Sequence, residues 1–355
     1  MIDDHDREPV PDAQDHSEGA ERQASIRAVS VCILGYHRKP TPDVGLRGAL
    51  LRSIVKAINA RDDWASVEVV LLPGGFFRIA NPIGHLSDHD RRTRLSAHRA
   101  AEHCALSSHL LDHAHPGAVL VVGIDIKPAS RRIGGDQLVA AWRDGELVTL
   151  ARKTFPADGD TNGSGPVYPV YKKDFATKRR FVTLASGARC LLLGCYDAFG
   201  GRAPAGERHV DLAAIRLIRD GDGKFVRPTH AIRREWVSRW TNLLRRHPPD
   251  LGLVAIHGFV RPGMDGYWQR HGIAGASAAL VGIPIIGAAH FNKALPRSVN
   301  RSVLAAKDVP LSHLELGPRR PLHALIPDDG FTLTGEDGSP VALIRRFNLA
   351  LGQKS

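Results

Sequence analysis

Six short apolar runs recur along the chain, and each of them stops at a proline, a glycine or a polar residue. They span residues 28–36, 67–73, 118–126, 189–197, 251–259 and 283–291. Apolar runs of this length are typical of strands that are buried on both faces of a sheet. Amphipathic stretches lie between several of these runs and predict helices at residues 46–60, 90–113, 233–247 and 268–280. The alternation of the two patterns predicts an α/β fold.

Two further segments have the pattern of β-hairpins. Residues 138–153 turn at Asp144-Gly145, and residues 331–349 turn near Glu336-Asp337-Gly338. No repeat or low-complexity linker divides the chain after its first residues, which favours one domain over residues 26–355. Residues 1–25 are acidic and lack hydrophobic periodicity, so we expect a disordered tail there.

Composition limits the partners that the chain can have. The formal net charge of its 355 residues is +11, but the arginines and lysines are spread thinly and no nucleic-acid-binding motif accompanies them. We therefore expect a solvated basic surface and no specific nucleic-acid partner. No apolar run reaches the roughly 20 residues that a membrane helix needs. The N-terminus is acidic, unlike a secretory signal, so no membrane partner and a cytoplasmic location are expected.

The four cysteines show no metal-binding or disulfide pattern. They are Cys32, Cys104, Cys190 and Cys195, and no two of them have the CxxC spacing. In a chain without a secretory signal, neither a disulfide framework nor a structural zinc site is indicated. The Gly74-Gly75 pair also lacks the glycine-rich patterns that bind phosphates. We therefore expect no metal and no cofactor, and one cysteine remains as a candidate for reactivity.

Residues at the ends of the predicted strands are the candidates for chemistry, because side chains that contact ligands lie there in buried α/β sheets. These residues are Gly74, Lys153, Cys195, His257 and His290. Cys195 interrupts the apolar run of "LLLGCYDAFGG" (191–201), where a nucleophile would be exposed at a strand-to-turn corner. Lys153, in "ARKTFPADGD" (151–160), could lower the pKa of a nearby thiol and stabilise an oxyanion.

Together with "VVLLPGGFF" (69–77), these segments resemble the nitrilase, or carbon–nitrogen hydrolase, superfamily in their order and spacing. Gly74 and Lys153 are 79 positions apart, and Lys153 and Cys195 are 42 positions apart. The resemblance implies a four-layer αββα sandwich of two mixed sheets and a homodimer. It also implies that Cys195 attacks a small amide or nitrile to form a thioester-type intermediate while Lys153 stabilises the developing charge. Gly74, Gly75, Tyr196 and Asp197 would then line the pocket.

The first carboxylate of the family pattern is missing. The family's catalytic glutamate follows the strand proline, but Gly74 follows Pro73 in this chain. Glu68 lies on the same strand but about 20 Å away at about 3.3 Å per residue. His85, His257 and His290 are the candidate substitutes for the base, His257 and His290 being preferred, and Asp88 and Asp90 lie near His85. A glycine pair would enlarge the pocket by about a carboxylate's volume, leaving room for a larger substrate group or for such a base.

Other interpretations of the same pattern remain open. Residues 154–194 contain no glutamate, so a second carboxylate of the family is also missing. The protein could therefore be a catalytically inactive relative that serves as a binding or scaffold protein. A strand followed by "PGG" also occurs in class I glutamine amidotransferases. In those proteins, however, the cysteine follows within a few dozen residues, whereas Cys195 lies 122 positions beyond Pro73.

Overall fold

The structure is a computed structural model. It describes residues 25–34, 44–79, 101–102, 104, 115–126, 136–155, 177–200, 218–219, 225–259, 263–280, 282–291, 305–306 and 325–350. The predicted tail lies outside these residues except for Ser25, which begins the first strand. His85, Asp88, Asp90 and most of the helix predicted at residues 90–113 also lie outside them.

A mixed sheet forms one half of the described structure. Its strands are β1 (Ser25–Ile33), β2 (Val69–Leu71), β3 (Phe77–Ile79), β4 (Val119–Ile126), β5 (Asp136–Arg143), β6 (Glu146–Arg152), β14 (Asp329–Thr334) and β15 (Pro340–Ala350). The order is β14-β15-β1-β2-β4-β5-β6, and β3 also pairs with β4. The pairings among β1, β2, β3 and β4 are parallel, and the others are antiparallel. The β5–β6 hairpin turns where predicted, at Asp144 and Gly145, which both have positive φ as a tight hairpin turn requires.

A second mixed sheet stacks against the first. Its strands are β7 (Phe181–Thr183), β8 (Arg189–Gly194), β11 (Leu251–Ala255), β12 (Ile285–Ala288) and β13 (Ala305–Ala306), in the order β13-β12-β11-β8-β7. The three central strands are parallel to one another. β9 (Ile218–Arg219) and β10 (Phe225–Val226) form a separate pair.

Helices cover the outer faces of the two sheets. They are α1 (Val44–Asn59), α2 (Asp197–Gly200), α3 (His230–Arg246), α4 (Met264–Tyr267) and α5 (Ala274–Ala279), with a π-helix at Trp268–Ile273 and 3₁₀ turns at Asp62–Trp64 and Lys178–Arg180. α3 begins where the side chain of Thr229 accepts a hydrogen bond from the Ile232 N–H. Its buried residues Trp236, Trp240, Leu243 and Leu244 follow the spacing of one helix face.

Three apolar clusters divide the structure into four layers. On the outer face of the first sheet, α1 packs against β1, β2 and β4. A second cluster lies between the sheets, where Val69 and Val121 are grouped with Leu192 and Leu253. The third joins α3 and the π-helix to the outer face of the second sheet. The predicted αββα sandwich of two mixed sheets is therefore confirmed, and burial of the central strands on both faces explains why their sequences lack a polar alternation.

The layering brings several strand ends to one edge. In the first sheet, β2 and β4 run in parallel, and β6 runs in the same direction because two antiparallel pairings separate it from β4. In the second sheet, β8, β11 and β12 run in parallel. Backbone hydrogen bonds join the two sheets at this edge, since the Gly74 N–H donates to the Ile256 carbonyl at 3.1 Å. The residues that follow these strands therefore lie close together across the two sheets.

Candidate active site

Cys195 occupies a strained corner at the end of β8. Its φ is +45°, in the left-handed region that residues other than glycine rarely adopt. The Cys195 N–H donates to the carbonyl of Ala255 at 2.9 Å, so the end of β11 holds the corner in place. Only 6% of the residue is exposed. A cysteine held in this way at a strand-to-turn corner has the geometry of a nucleophile elbow.

Asp197 fixes this corner to the segment that carries Lys153. Its carboxylate accepts hydrogen bonds from the N–H groups of Thr154, Phe155 and Gly194 at 2.7, 2.8 and 3.0 Å. Arg180 lies 3.7 Å from the same carboxylate, and both side chains are fully buried. Asp197 was predicted to line the pocket, but the structure places it beneath the corner, where it holds two loops together.

Lys153 lies directly beside the corner. It follows β6 and is buried, and its backbone N–H donates to the Gln137 carbonyl at 2.8 Å. The Lys153 side chain passes so close to Gly194 that a Cβ there would lie 3.1 Å from the Lys153 Cβ. Its ammonium nitrogen lies 5.9 Å from the centre of the half-exposed Tyr196 ring. The predicted Lys153, Cys195 and Tyr196 are therefore brought together.

His257, which follows β11, is the histidine that contacts Cys195. Its imidazole Nε2 lies 2.8 Å from Oδ1 of Asp125. Because Nε2 is bound to Asp125, Nδ1 is the nitrogen available to the Cys195 thiol, and the two groups lie close enough to shift each other's pKa. The exposed fraction of the His257 side chain is 21%, so solvent or a small ligand can reach the imidazole from one side.

Asp125 is a residue of this site that the sequence interpretation missed. It is the penultimate residue of β4, and its side chain is 7% exposed. Besides His257, it has a second cationic neighbour, Arg78, whose Nε lies 3.4 Å from Oδ2. The available signal was a single carboxylate in the otherwise apolar run 118–126, because a buried charge requires a partner.

The charges of these groups depend on one another. Burial opposes ionisation of the Cys195 thiol, but Lys153 and His257 outweigh it and lower the pKa of Cys195 below its usual value. Burial likewise opposes protonation of His257, but Asp125 and Cys195 outweigh it and raise the pKa of His257 to about 10. The two shifts act together and favour a thiolate beside an imidazolium. By contrast, burial raises the pKa of Cys32, and it raises that of Cys104 to about 12.

The glycine pair faces occupied space, which corrects the expectation of an enlarged pocket. A Cβ on Gly74 would lie 2.6 Å from the Ala255 carbonyl oxygen and 3.0 Å from Nδ1 of His257. Gly75 has a φ of +60°, and a Cβ there would lie 2.6 Å from Oδ2 of Asp125. The volume that a larger substrate group would need is therefore filled. The backbone of the "PGG" turn packs directly against the His257–Asp125 pair, so these two side chains fill the space beside the glycines.

The other proposed substitutes for the base have different positions. His290 is buried, and its Nδ1 donates to the backbone carbonyl of His257 at 2.8 Å. Burial, with the nearby Arg47, lowers the pKa of His290 to about 3, so it is a weak base that supports the His257 backbone. His85 lies outside the described residues. Glu68 accepts a hydrogen bond from the Ser186 N–H and lies before β2, at the opposite end from Gly74.

Two further observations concern metal binding and membrane-spanning helices. Within the described residues, no group of three or more histidine, cysteine, aspartate or glutamate side chains is placed to hold a metal ion. The described helices include none that is long and apolar enough to cross a membrane.

No protein-family profile matches the chain, and no curated protein matches it in sequence. Among solved structures, it is similar to a nitrilase-superfamily amidase from Nesterenkonia AN1, with 14% identity and a TM-score of 0.41 over 93% of this chain and 92% of the amidase. It is also similar to a glutamine-dependent NAD⁺ synthetase from Acinetobacter baumannii, with 9% identity and a TM-score of 0.47 over 94% of this chain and 48% of the synthetase. At these values the function has to be inferred from the geometry of the site itself.

Proposed function

We propose that the protein hydrolyses a carbon–nitrogen bond of a small amide or nitrile. In this proposal Cys195 is the nucleophile, Lys153 stabilises the charge that develops on the substrate, and His257 transfers protons. The observation that carries it is the position of His257, which binds Asp125 at 2.8 Å, next to a cysteine held in a strained corner beside Lys153. A nucleophile, its base and a cation at one strand edge are the parts that acyl transfer requires.

The steps of amide hydrolysis follow from these roles. The Cys195 thiolate attacks the amide carbon, and the electron pair of the C=O bond moves to the oxygen, where the Lys153 ammonium stabilises it. When the C–N bond breaks, the leaving amine takes a proton from the His257 imidazolium. The neutral imidazole then accepts a proton from water as the hydroxyl attacks the thioester carbon. The C–S bond breaks, which releases the carboxylic acid and restores the thiolate–imidazolium pair.

A nitrile would follow the same path after one additional step. The Cys195 thiolate adds to the nitrile carbon, and the nitrogen takes a proton from the His257 imidazolium to give a thioimidate. Water then adds to the same carbon and ammonia leaves, which gives the thioester. The raised pKa of His257 favours a carbon–nitrogen substrate, since an amine must accept a proton to leave. The same imidazolium supplies that proton near neutral pH.

The proposal is tested by looking for the covalent intermediate. Purified protein is mixed with a panel of small amides and nitriles, ammonia release is measured, and acid-quenched samples are examined by mass spectrometry. We expect an acyl adduct on the peptide containing Cys195 and none in Cys195→Ala. Cys104→Ala is the matched control and should form the adduct at the normal rate. The catalytic proposal would be rejected if no substrate releases ammonia and Cys195 reacts with iodoacetamide no faster than Cys32; a binding or scaffold protein is then the better interpretation.

Replacement of Lys153 tests the role of the cation. Lys153→Met keeps much of the side-chain volume and removes the charge that stabilises both the thiolate and the developing oxyanion. We expect turnover to fall by about 10²–10³-fold, the usual loss when an oxyanion-stabilising group is removed. The pKa of Cys195, measured from the pH dependence of its alkylation, should also rise. Lys56→Met, on the exposed side of α1, is the control and should change neither quantity. An unchanged thiol pKa in Lys153→Met would exclude this role.

A further inference from the structure

We infer that Asp125 is a positioning residue, which holds His257 in the orientation and charge state needed to act on Cys195. The inference rests on the proposed function and deepens it. In this inference, two residues from different sheets together take the role of the glutamate that is missing at residue 74. Asp125 belongs to β4 of the first sheet, and His257 follows β11 of the second. Cys195 follows β8, the neighbour of β11.

The geometry assigns a separate task to each nitrogen of the imidazole. Nε2 lies 2.8 Å from the Asp125 carboxylate, which can only accept a hydrogen bond while it is ionised. Nε2 therefore carries a proton in both charge states of the ring. Nδ1 is consequently the nitrogen that gains and loses a proton beside Cys195. Without Asp125 the neutral ring could place its single proton on Nδ1, and this tautomer could not accept the proton of the thiol or of water.

The position of Asp125 also suits a permanent negative charge. Burial opposes its ionisation, but His257, Arg78 and Lys153 outweigh it and keep the pKa of the carboxyl below its usual value. The ionised carboxylate in turn favours the imidazolium over the neutral ring. The charged and titratable groups that bear on the pair are Arg78, Lys153, Cys195, His290 and Arg47. Asp125 supplies the negative charge that lies 2.8 Å from Nε2 of His257.

The turn that contains the two glycines completes the arrangement. A Cβ on Gly75 would lie 2.6 Å from Oδ2 of Asp125, and a Cβ on Gly74 would lie 3.0 Å from Nδ1 of His257, so the turn packs this closely only because both residues are glycine. The Gly123 N–H, on the same strand as Asp125, donates to the Pro73 carbonyl at 3.2 Å. The turn thus packs along both members of the pair. A side chain at either glycine would displace the group opposite it, so the glycines and the Asp125–His257 pair belong to one arrangement.

The test is the pH dependence of Cys195 alkylation by iodoacetamide in Asp125→Asn, a variant with nearly the same shape and no charge. In the unmodified protein we expect a rate that is independent of pH around neutrality. In Asp125→Asn the imidazolium loses its anion, so the pKa of His257 should fall and that of Cys195 should rise. The rate at pH 7 should drop about tenfold for each unit by which the thiol pKa rises above the assay pH.

Two controls keep the result interpretable. Asp329→Asn removes a carboxylate that binds Trp64 and Arg61 far from the site, and its alkylation profile should match that of the unmodified protein. Burial raises the pKa of the Cys104 thiol to about 12, so Cys104 should stay unlabelled in every variant that remains folded. An alkylation profile in Asp125→Asn that equals the unmodified one would overturn the inference.

A second measurement applies if Asp125→Asn does not fold. Nitrogen NMR of the unmodified protein should show the His257 ring protonated at Nε2 throughout the neutral range, and a ring protonated only at Nδ1 would overturn the inference. Neither measurement uses a substrate. The absence of ammonia release, together with Cys195 alkylation no faster than that of Cys32, would therefore reject the proposed function without deciding the role of Asp125. An unchanged alkylation profile in Asp125→Asn would overturn the role of Asp125 without rejecting the proposed function.

Discussion

Replacement of His257 by alanine is expected to lower the rate of amide hydrolysis by about 10²–10⁴-fold, the usual contribution of a general acid–base group. The loss has two causes. The Cys195 thiolate loses the imidazolium that stabilises it, and the leaving amine and the attacking water lose the group that exchanges protons with them. Ammonia release under saturating substrate measures the effect, and the same preparation shows slower alkylation of Cys195 near neutral pH.

The matched control for this variant is His247→Ala. His247 caps the end of α3 and contacts the Phe181 ring, so its removal should leave the catalytic rate unchanged. Added imidazole should restore part of the activity of His257→Ala, because truncation leaves a space of the right shape beside the nucleophile. If His257→Ala kept more than a tenth of the normal rate, another residue would have to be the base.

The sheet architecture could be predicted from the sequence because its central strands are buried on both faces. Such strands appear as continuous apolar runs, and the runs at residues 118–126 and 251–259 contain β4 and β11. The hairpin at Asp144-Gly145 could also be predicted from the sequence, because its turn requires positive φ and few residue types adopt it. Strand ends were placed within a few residues. The strands and the hairpin turn could be predicted because each depends only on burial and on a short stretch of the chain.

The composition of the site could be predicted only in part. Cys195, Lys153 and His257 each follow a strand, so a common edge could be inferred from topology. Distances between side chains from different sheets depend on how the sheets stack, and no local pattern records that. The sequence therefore could not rank His257 above His290, although one contacts the thiol and the other supports a backbone carbonyl. Asp125 was missed because its strand reads as one apolar run.

Introduction of the family's glutamate at the glycine, as Gly74→Glu, is expected to remove activity at least as completely as His257→Ala and to destabilise the fold. The first carbon of the new side chain would meet the Ala255 carbonyl oxygen at 2.6 Å. That oxygen accepts the Cys195 N–H, so the clash acts on the nucleophile corner as well as on the imidazole. Overpacking of this kind costs about 1–3 kcal/mol, and thermal unfolding together with ammonia release would measure both effects.

Gly266→Glu is the matched control, because a Cβ at Gly266 meets nothing within 4 Å and the substitution should change neither stability nor rate by much. The double variant Gly74→Glu/His257→Ala separates the two explanations of the glycine. If the glycine marks a base that was simply lost, the glutamate should restore activity once His257 is absent. We expect no rescue, since the Ala255 carbonyl still occupies the path of the side chain. Recovery of hydrolysis in the double variant would mean that a glutamate at residue 74 can still act as the base. His257 would then block the position of the family's glutamate and would not be its substitute.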